Sequence, residues 1–277
     1  MANMNLKNCA VINDLSGFGR CALNVSIPVM SALGIRTLSA PTAVLSNHTA
    51  FSDYYFHDLT DGMEEYFSAW EKLSLSFDGI YTGFLGSERQ VDIISSFIKH
   101  FRTSDTLLFV DPVMGDDGKL YTTYTPELVC RMRELIRGAD VITPNLTEAC
   151  FLADISYKHM ENASDAMLFS LAKKLSSLGA RRVCITGIYR KGFVYNFVYD
   201  GVSGKTFRTR SKYVGGQFCG TGDLFTSLLA GFMLRGKSFR QSVRRAARFI
   251  GKAALLSKKL GVSPTDGIAF ETILHKA

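Results

Sequence analysis

Gly220-Thr221-Gly222-Asp223, running into the apolar stretch Leu224–Leu234, reads as a short glycine turn that opens a helix and sets a carboxylate on its first turn. Such a turn gathers unpaired backbone N–H groups at the positive end of the helix dipole, which makes an anion site. The dipole favours an ionised aspartate there by about 0.3–1 kcal/mol. Two uses fit these four residues. Asp223 caps the helix, or the turn cradles a moving phosphoryl group while Asp223 acts as base toward an acceptor hydroxyl. The rest of the chain decides between them.

Upstream, short apolar runs alternate with longer amphipathic segments, the signal for βαβ units and a mainly parallel sheet. Strands are expected at Cys9–Asn13, Thr37–Leu45, Phe77–Thr82, Thr106–Val110, Val141–Thr143 and Arg182–Thr186, followed by a hairpin of Phe193–Tyr199 and Lys205–Thr209 across Asp200-Gly201. Helices are expected at Asn24–Leu33, Gly62–Leu73, Arg89–Phe101, Pro126–Ile136, Leu146–Leu152, Ala163–Leu178, Asp223–Leu234 and Phe239–Leu256. In the last of these, Val243, Ala246, Ala247, Ile250 and Ala254 share one face. No linker, repeat or low-complexity segment interrupts the pattern, so residues 1–277 are expected to form a single domain.

A hydrophobic content of 47% supports a sizeable core. No apolar run approaches the roughly eighteen residues of a membrane span, and Met1–Lys7 lacks a signal-peptide core, so a soluble, cytoplasmic protein with no membrane contact is expected. The six cysteines are scattered without a CxxC pair, which argues against a disulfide framework and against a zinc site. The formal charge of +7 gathers at Arg181/Arg182, Arg208–Lys212 and the Arg235–Arg248 region. Aromatics do not interleave with that basic helix and no nucleic-acid motif is present. We therefore expect a solvated face, or a general attraction for anionic nucleotides and phosphates, and no nucleic-acid partner.

The remaining motifs fall just after expected strands, where open α/β sheets place ligands. Gly17-Phe18-Gly19-Arg20-Cys21-Ala22 fits the loose dinucleotide pattern, but Arg36–Leu45 offers no acid to hold a ribose, so we read a loop packing over a small substrate. Asp111-Pro112-Val113-Met114-Gly115-Asp116-Asp117-Gly118 concentrates negative charge at a strand end. A hard cation such as Mg²⁺ is its natural companion, and a solvated acidic turn is the alternative. In Thr143-Pro144-Asn145-Leu146-Thr147-Glu148, Glu148 either forms a capping box with Asn145 or holds a metal-bound water while Asn145 donates to phosphates. His48, in Ser46-Asn47-His48-Thr49, is a general base or a packing residue.

Taken in order, these motifs and Thr82-Gly83-Phe84-Leu85-Gly86-Ser87 resemble the ribokinase-like superfamily, and within it the vitamin B6 kinases, over nearly the whole chain. The resemblance implies an α/β three-layer sandwich with a central, mainly parallel sheet flanked by helices. It implies ATP-dependent phosphorylation of the 5′-hydroxymethyl group of pyridoxal, pyridoxine or pyridoxamine, with Mg²⁺, a monovalent cation such as K⁺, and a homodimer. On matching positions, Asp223 would be the base and Gly220, Thr221 and Gly222 the donors to the transferring phosphoryl. Asp111, Asp116, Asn145 and Thr186 would meet ATP, with Glu148 and Asp111 holding the metal largely through water. Asp14, Thr49 and Phe84 would touch the pyridine ring. Cys219, beside the tetrad, is a small buried residue or a thiol able to add reversibly to the aldehyde of pyridoxal. B6 kinases often carry serine where this chain has Asp14 and tyrosine where it has Phe84. An acid at the first position is also similar to the hydroxymethylpyrimidine kinases of thiamine synthesis, whose tetrad usually ends in cysteine. Ser16–Arg20 and Gly115–Lys119 are the candidate closing loops.

Overall fold

The computed structural model describes residues 6–277. The chain begins with β1 (Lys7–Phe18), α1 (Ala22–Ala32), β2 (Ile35–Asn47), β3 (Phe56–Asp58), α2 (Thr60–Lys72), β4 (Gly79–Thr82), α3 (Glu88–Phe101) and β5 (Leu107–Val110). A small hairpin, β6 (Gly115–Asp116) and β7 (Lys119–Leu120), leads into α4 (Pro126–Leu135), β8 (Val141–Ile142), α5 (Leu146–Ala153), α6 (Tyr157–Met160) and α7 (Asp165–Ser177). There follow β9 (Arg182–Arg190), β10 (Phe193–Asp200), β11 (Lys205–Lys212), α8 (Thr221–Leu234), α9 (Phe239–Leu260) and a 3₁₀ turn, Glu271–Lys276.

Among the described residues, nine strands form one sheet in the order β11-β10-β9-β8-β5-β4-β1-β2-β3. The strands from β2 to β9 in that order run parallel. β3 and the β10–β11 hairpin close the two edges antiparallel. Successive side chains of a strand face opposite sides, and the sequence uses both. Ile12, Ile80, Leu108, Val110 and Ile142 join a cluster with Phe67, Ile94, Met132 and Leu171 of α2, α3, α4 and α7. Their neighbours Val11, Tyr81, Phe109 and Val141 pack on Val29, Leu228 and Val243 of α1, α8 and α9. The result is the three-layer sandwich that the family resemblance implies. β1 lies between β2 and β4, where the strand order reverses, and open α/β sheets bind ligands at the carboxyl ends of strands at such a point.

Three local differences bear on the site. β1 runs on past Asn13 to Phe18, because it stays paired with β2 as far as Asn47, with a register shift between Asn13 and Leu15. Asp14–Phe18 is therefore strand rather than loop. β9 likewise continues through Thr186 to Arg190, held by β10. The segment around Gly115–Lys119 is a tight hairpin. No helix among the described residues is long and apolar enough to cross a membrane.

Candidate active site

The start of α8 is fixed by close approach. Gly220, at its N-cap, has φ 70°, and a Cβ there would collide with the carbonyl oxygen of Arg20. The β1–α1 turn thus presses against the mouth of α8. Gly220 has no side chain to cap the helix, which leaves the first-turn N–H groups to an anion. Thr221 Oγ1 donates back to Phe218 O at 2.7 Å. Cys219 is clamped through its main chain, donating to Pro264 O and accepting from Ile268 N–H, both at 3.0 Å. Burial, then the charges of Asp223 and Asp116, push the half-buried Cys219 thiol up, so it is protonated at neutral pH.

Three carboxyls converge on this turn without a cationic side chain bonded to them. Asp223, in the first turn of α8, accepts from Asn13 Nδ2 at 3.1 Å. Burial raises its pKa, while the Ala22 amide, Asn13 and the charge of His48 oppose the rise. Asp14 accepts from Ser16 Oγ at 3.0 Å. Burial and then the like charge of Asp223 push Asp14 up to about 7. Asp111, at the end of β5, accepts from Thr226 Oγ1 at 3.1 Å, and Thr143 Oγ1 lies 2.8 Å from that hydroxyl. Burial and Asp223 push Asp111 to about 7 as well, against the help of both threonines.

The Asn145–Glu148 capping box is formed. Glu148 Oε2 accepts from Asn145 N–H at 2.8 Å, and Asn145 Oδ1 accepts from Glu148 N–H at 2.9 Å. Glu148 Oε1 also accepts from Met114 N–H at 3.2 Å, and Asn145 Nδ2 donates to Gly115 O at 2.8 Å, which ties α5 to the β6–β7 hairpin. Burial first, then Asp111, raise Glu148 well above the usual carboxylate range. Asp116 is exposed on β6; partial burial raises its pKa, and its charge reaches both Glu148 and Cys219. Among the described residues no group of three or more His, Cys, Asp or Glu is arranged to hold a metal ion. Mg²⁺ carried on substrate phosphates needs only one or two carboxylates and keeps water elsewhere. The mutually repelling Asp111 and Glu148 fit that partial donor set.

Thr186 lies inside β9 rather than at its end, with its N–H donating to Pro144 O at 2.9 Å. Phe84 is half-buried, edge-on to Tyr124 with ring centroids 6.3 Å apart. Thr49 sits exposed in the turn after β2 and is not drawn into this group. Its neighbour His48 is: its Nε2 donates to Thr265 O at 2.7 Å, and its charge acts on Asp223. Asn13 was not among the expected site residues. Its buried amide donates to Asp223 and accepts from Phe84 N–H at 2.8 Å and Asp14 N–H at 3.0 Å. Gly83 lacks a Cβ where the Asn13 amide stands. The signal available was an asparagine at the end of an otherwise apolar strand, just where the sheet order reverses.

A carboxylate beside a bare helix N-terminus, at the switch point of an α/β sheet, is the layout of a small-molecule phosphotransferase. Residues 24–266 match the family model for phosphomethylpyrimidine kinase, and the chain belongs to that family, a ribokinase-like group of kinases for B6 vitamers and thiamine precursors. A Bacteroides thetaiotaomicron protein named as a phosphomethylpyrimidine kinase, solved in an orthorhombic form with pyridoxal, is 40% identical with a TM-score of 0.94, over 98% of this chain and 96% of that one. Pyridoxal kinase from Lactobacillus plantarum is 29% identical with a TM-score of 0.90, over 98% and 96% of the two chains. Hydroxymethylpyrimidine/phosphomethylpyrimidine kinase of Aquifex aeolicus is 29% identical over 184 residues, 66% of this chain and 69% of the relative.

Proposed function

We propose that this chain, as one kinase domain, transfers the γ-phosphoryl group of ATP to the 5′-hydroxymethyl group of pyridoxal, pyridoxine or pyridoxamine. The observation that carries this reading is Asp223, tethered by Asn13 in the first turn of α8 beside Phe84, with the tetrad ending in Gly-Asp. Asp223 takes the hydroxyl proton as the oxygen attacks in line. The amides of Gly220, Thr221 and Gly222 receive the charge that collects on the transferring phosphoryl. Asn145, Asp116 and Thr186 border the path of the nucleotide phosphates. Mg²⁺, held by Asp111 and Glu148 largely through water, would supply charge neutralisation there when bound. Phe84 walls the ring, and Asp14, with a carboxyl near 7, offers a proton donor or acceptor to a ring nitrogen or hydroxyl. Thr49 reaches the ring only if its turn folds inward.

Asp14 also favours a second reading, phosphorylation of hydroxymethylpyrimidine or its phosphate, which agrees with the description of the matched family. ADP release with pyridoxal, pyridoxine, pyridoxamine and hydroxymethylpyrimidine, each with ATP and Mg²⁺, separates the two. The first reading expects the B6 vitamers to give the highest kcat/KM, and it fails if only the pyrimidine turns over. Activation by K⁺ over Na⁺, and a dimer mass by light scattering, test the two remaining parts of the proposal. Cys219 stands as a packing residue here; unchanged pyridoxal affinity in Cys219→Ala supports that, and a large loss favours thiol addition.

A further inference from the structure

Gln90 is fully buried on the face of α3 that it shares with Val91, Ile94 and Phe97. An amide there costs free energy unless each of its polar groups is bonded, and a leucine would fill the core without that demand. Helix capping does not account for it. Ser87 caps α3 by accepting from Gln90 N–H at 3.2 Å, and a capping box would return the Gln90 side chain to the Ser87 amide. Instead Gln90 Oε1 accepts from Gly86 N–H at 2.8 Å, one residue further out. Its Nε2 donates away from the helix, to Thr42 O on β2 at 3.0 Å and to Thr60 Oγ1 on α2 at 2.9 Å.

These bonds end on the segment that carries Phe84. Thr42 Oγ1 donates to Phe84 O at 3.0 Å, so one threonine joins Gln90 to the main chain of Phe84. A Cβ on Gly86 would stand 3.6 Å from the Phe84 ring, which therefore rests on the residue that Gln90 holds. The Phe84 N–H is fixed separately, by the Asn13 amide that also tethers Asp223. The clamp thus has two halves. Asn13 bonds both the ring and the base ends of the site, whereas Gln90 and Thr42 bond the Phe84 side and not Asp223. A shift of about 1 Å in such a wall is enough to spoil a productive pose.

We propose that Gln90 is a positioning residue for acceptor selection. Through Gly86 and Thr42 it sets the depth of the Phe84 wall, and with it how tightly a heterocyclic alcohol is held, without acting on phosphoryl transfer. This rests on the reading of Phe84 as a wall of the ring site. Steady-state kinetics with the heterocycle of highest kcat/KM test it in Gln90→Leu, Phe84→Ala and the double variant. Gln90→Leu is expected to raise KM for the heterocycle about tenfold, with kcat and the KM for ATP within about twofold of wild type. Amide exchange should speed at Gly86 and stay unchanged at Gly220–Asp223. In the Phe84→Ala background the same substitution should add nothing, because effects that pass through one shared contact are not additive. Additive losses, a fall in kcat as large as the rise in KM, or unchanged exchange at Gly86 would reduce Gln90 to a fold residue and overturn the inference. If Gln90→Leu melts below the assay temperature, Thr42→Val carries the same test, alone and with Phe84→Ala. A wild-type chain that turns over none of the heterocycles would instead overturn the proposed function, and this inference with it.

Discussion

Two buried aspartates at opposite ends of one sheet are treated in opposite ways. Asp140, at the entry to β8, takes Arg102 at 2.8 Å, Arg181 at 3.1 Å and the Leu108 amide at 2.9 Å. Asp111, at the exit of β5, has hydroxyl partners and a second carboxylate for company. A buried carboxylate without a cation costs stability, which the first end avoids and the second accepts. The contrast points to function: the carboxyl end holds Asp111 and Asp223 without a bonded cationic side chain, as the proposed phosphoryl transfer requires.

The sharpest way to break that contrast is Asp223→Asn. Loss of the base should lower kcat about 10²–10⁴-fold with ATP binding nearly intact, measured by steady-state kinetics and nucleotide titration. Turnover like the wild type would remove Asp223 from the chemistry. At the other end, Asp140→Ala should cost roughly 2–3 kcal/mol in denaturant melts and leave kcat per folded molecule unchanged. A kcat defect there would blur the division between the two ends.

Smaller effects sharpen the comparison. Glu148→Gln should raise the Mg²⁺ concentration needed for half-maximal rate by about tenfold, and an unchanged metal titration would leave Glu148 as a helix cap alone. Asp14 sits at about 7 in the folded chain against 3.8 ordinarily, so the folded state binds its proton more tightly. That stabilisation is complete below about pH 4 and is lost as pH rises through 7. Asp14→Asn keeps the neutral form and should raise stability by at most about 4 kcal/mol at pH 8, with the gain fading toward pH 4 in thermal melts. An equal gain at both pH values would mean that the substitution acts through packing instead.

Features that depend on near neighbours were legible in the sequence. A glycine turn ahead of an apolar helix, acids after a strand, and an i,i+3 pair such as Asn145 and Glu148 carry their geometry locally, and the capping box formed as its spacing allowed. The short apolar runs between amphipathic segments likewise marked the strands that the structure buries on both faces. Asn13 was illegible because its partners Phe84 and Asp223 lie 71 and 210 residues away, brought close only by the reversal of strand order at β1. Two-residue strands such as β6 and β7 have no period to read. Whether His48 or Thr49 faces the carboxylates depends on the orientation of one turn, which composition does not encode.

In the proposed reaction the first turn of α8 grips the migrating phosphoryl while Asp223 addresses the alcohol. A crystal structure with pyridoxal, Mg²⁺ and a non-hydrolysable ATP analogue tests it directly. The terminal phosphate is expected on the amides of Gly220–Gly222, with the hydroxymethyl oxygen within hydrogen-bond reach of Asp223. A triphosphate seated elsewhere, or an Asp223 carboxylate turned from the alcohol, would contradict it.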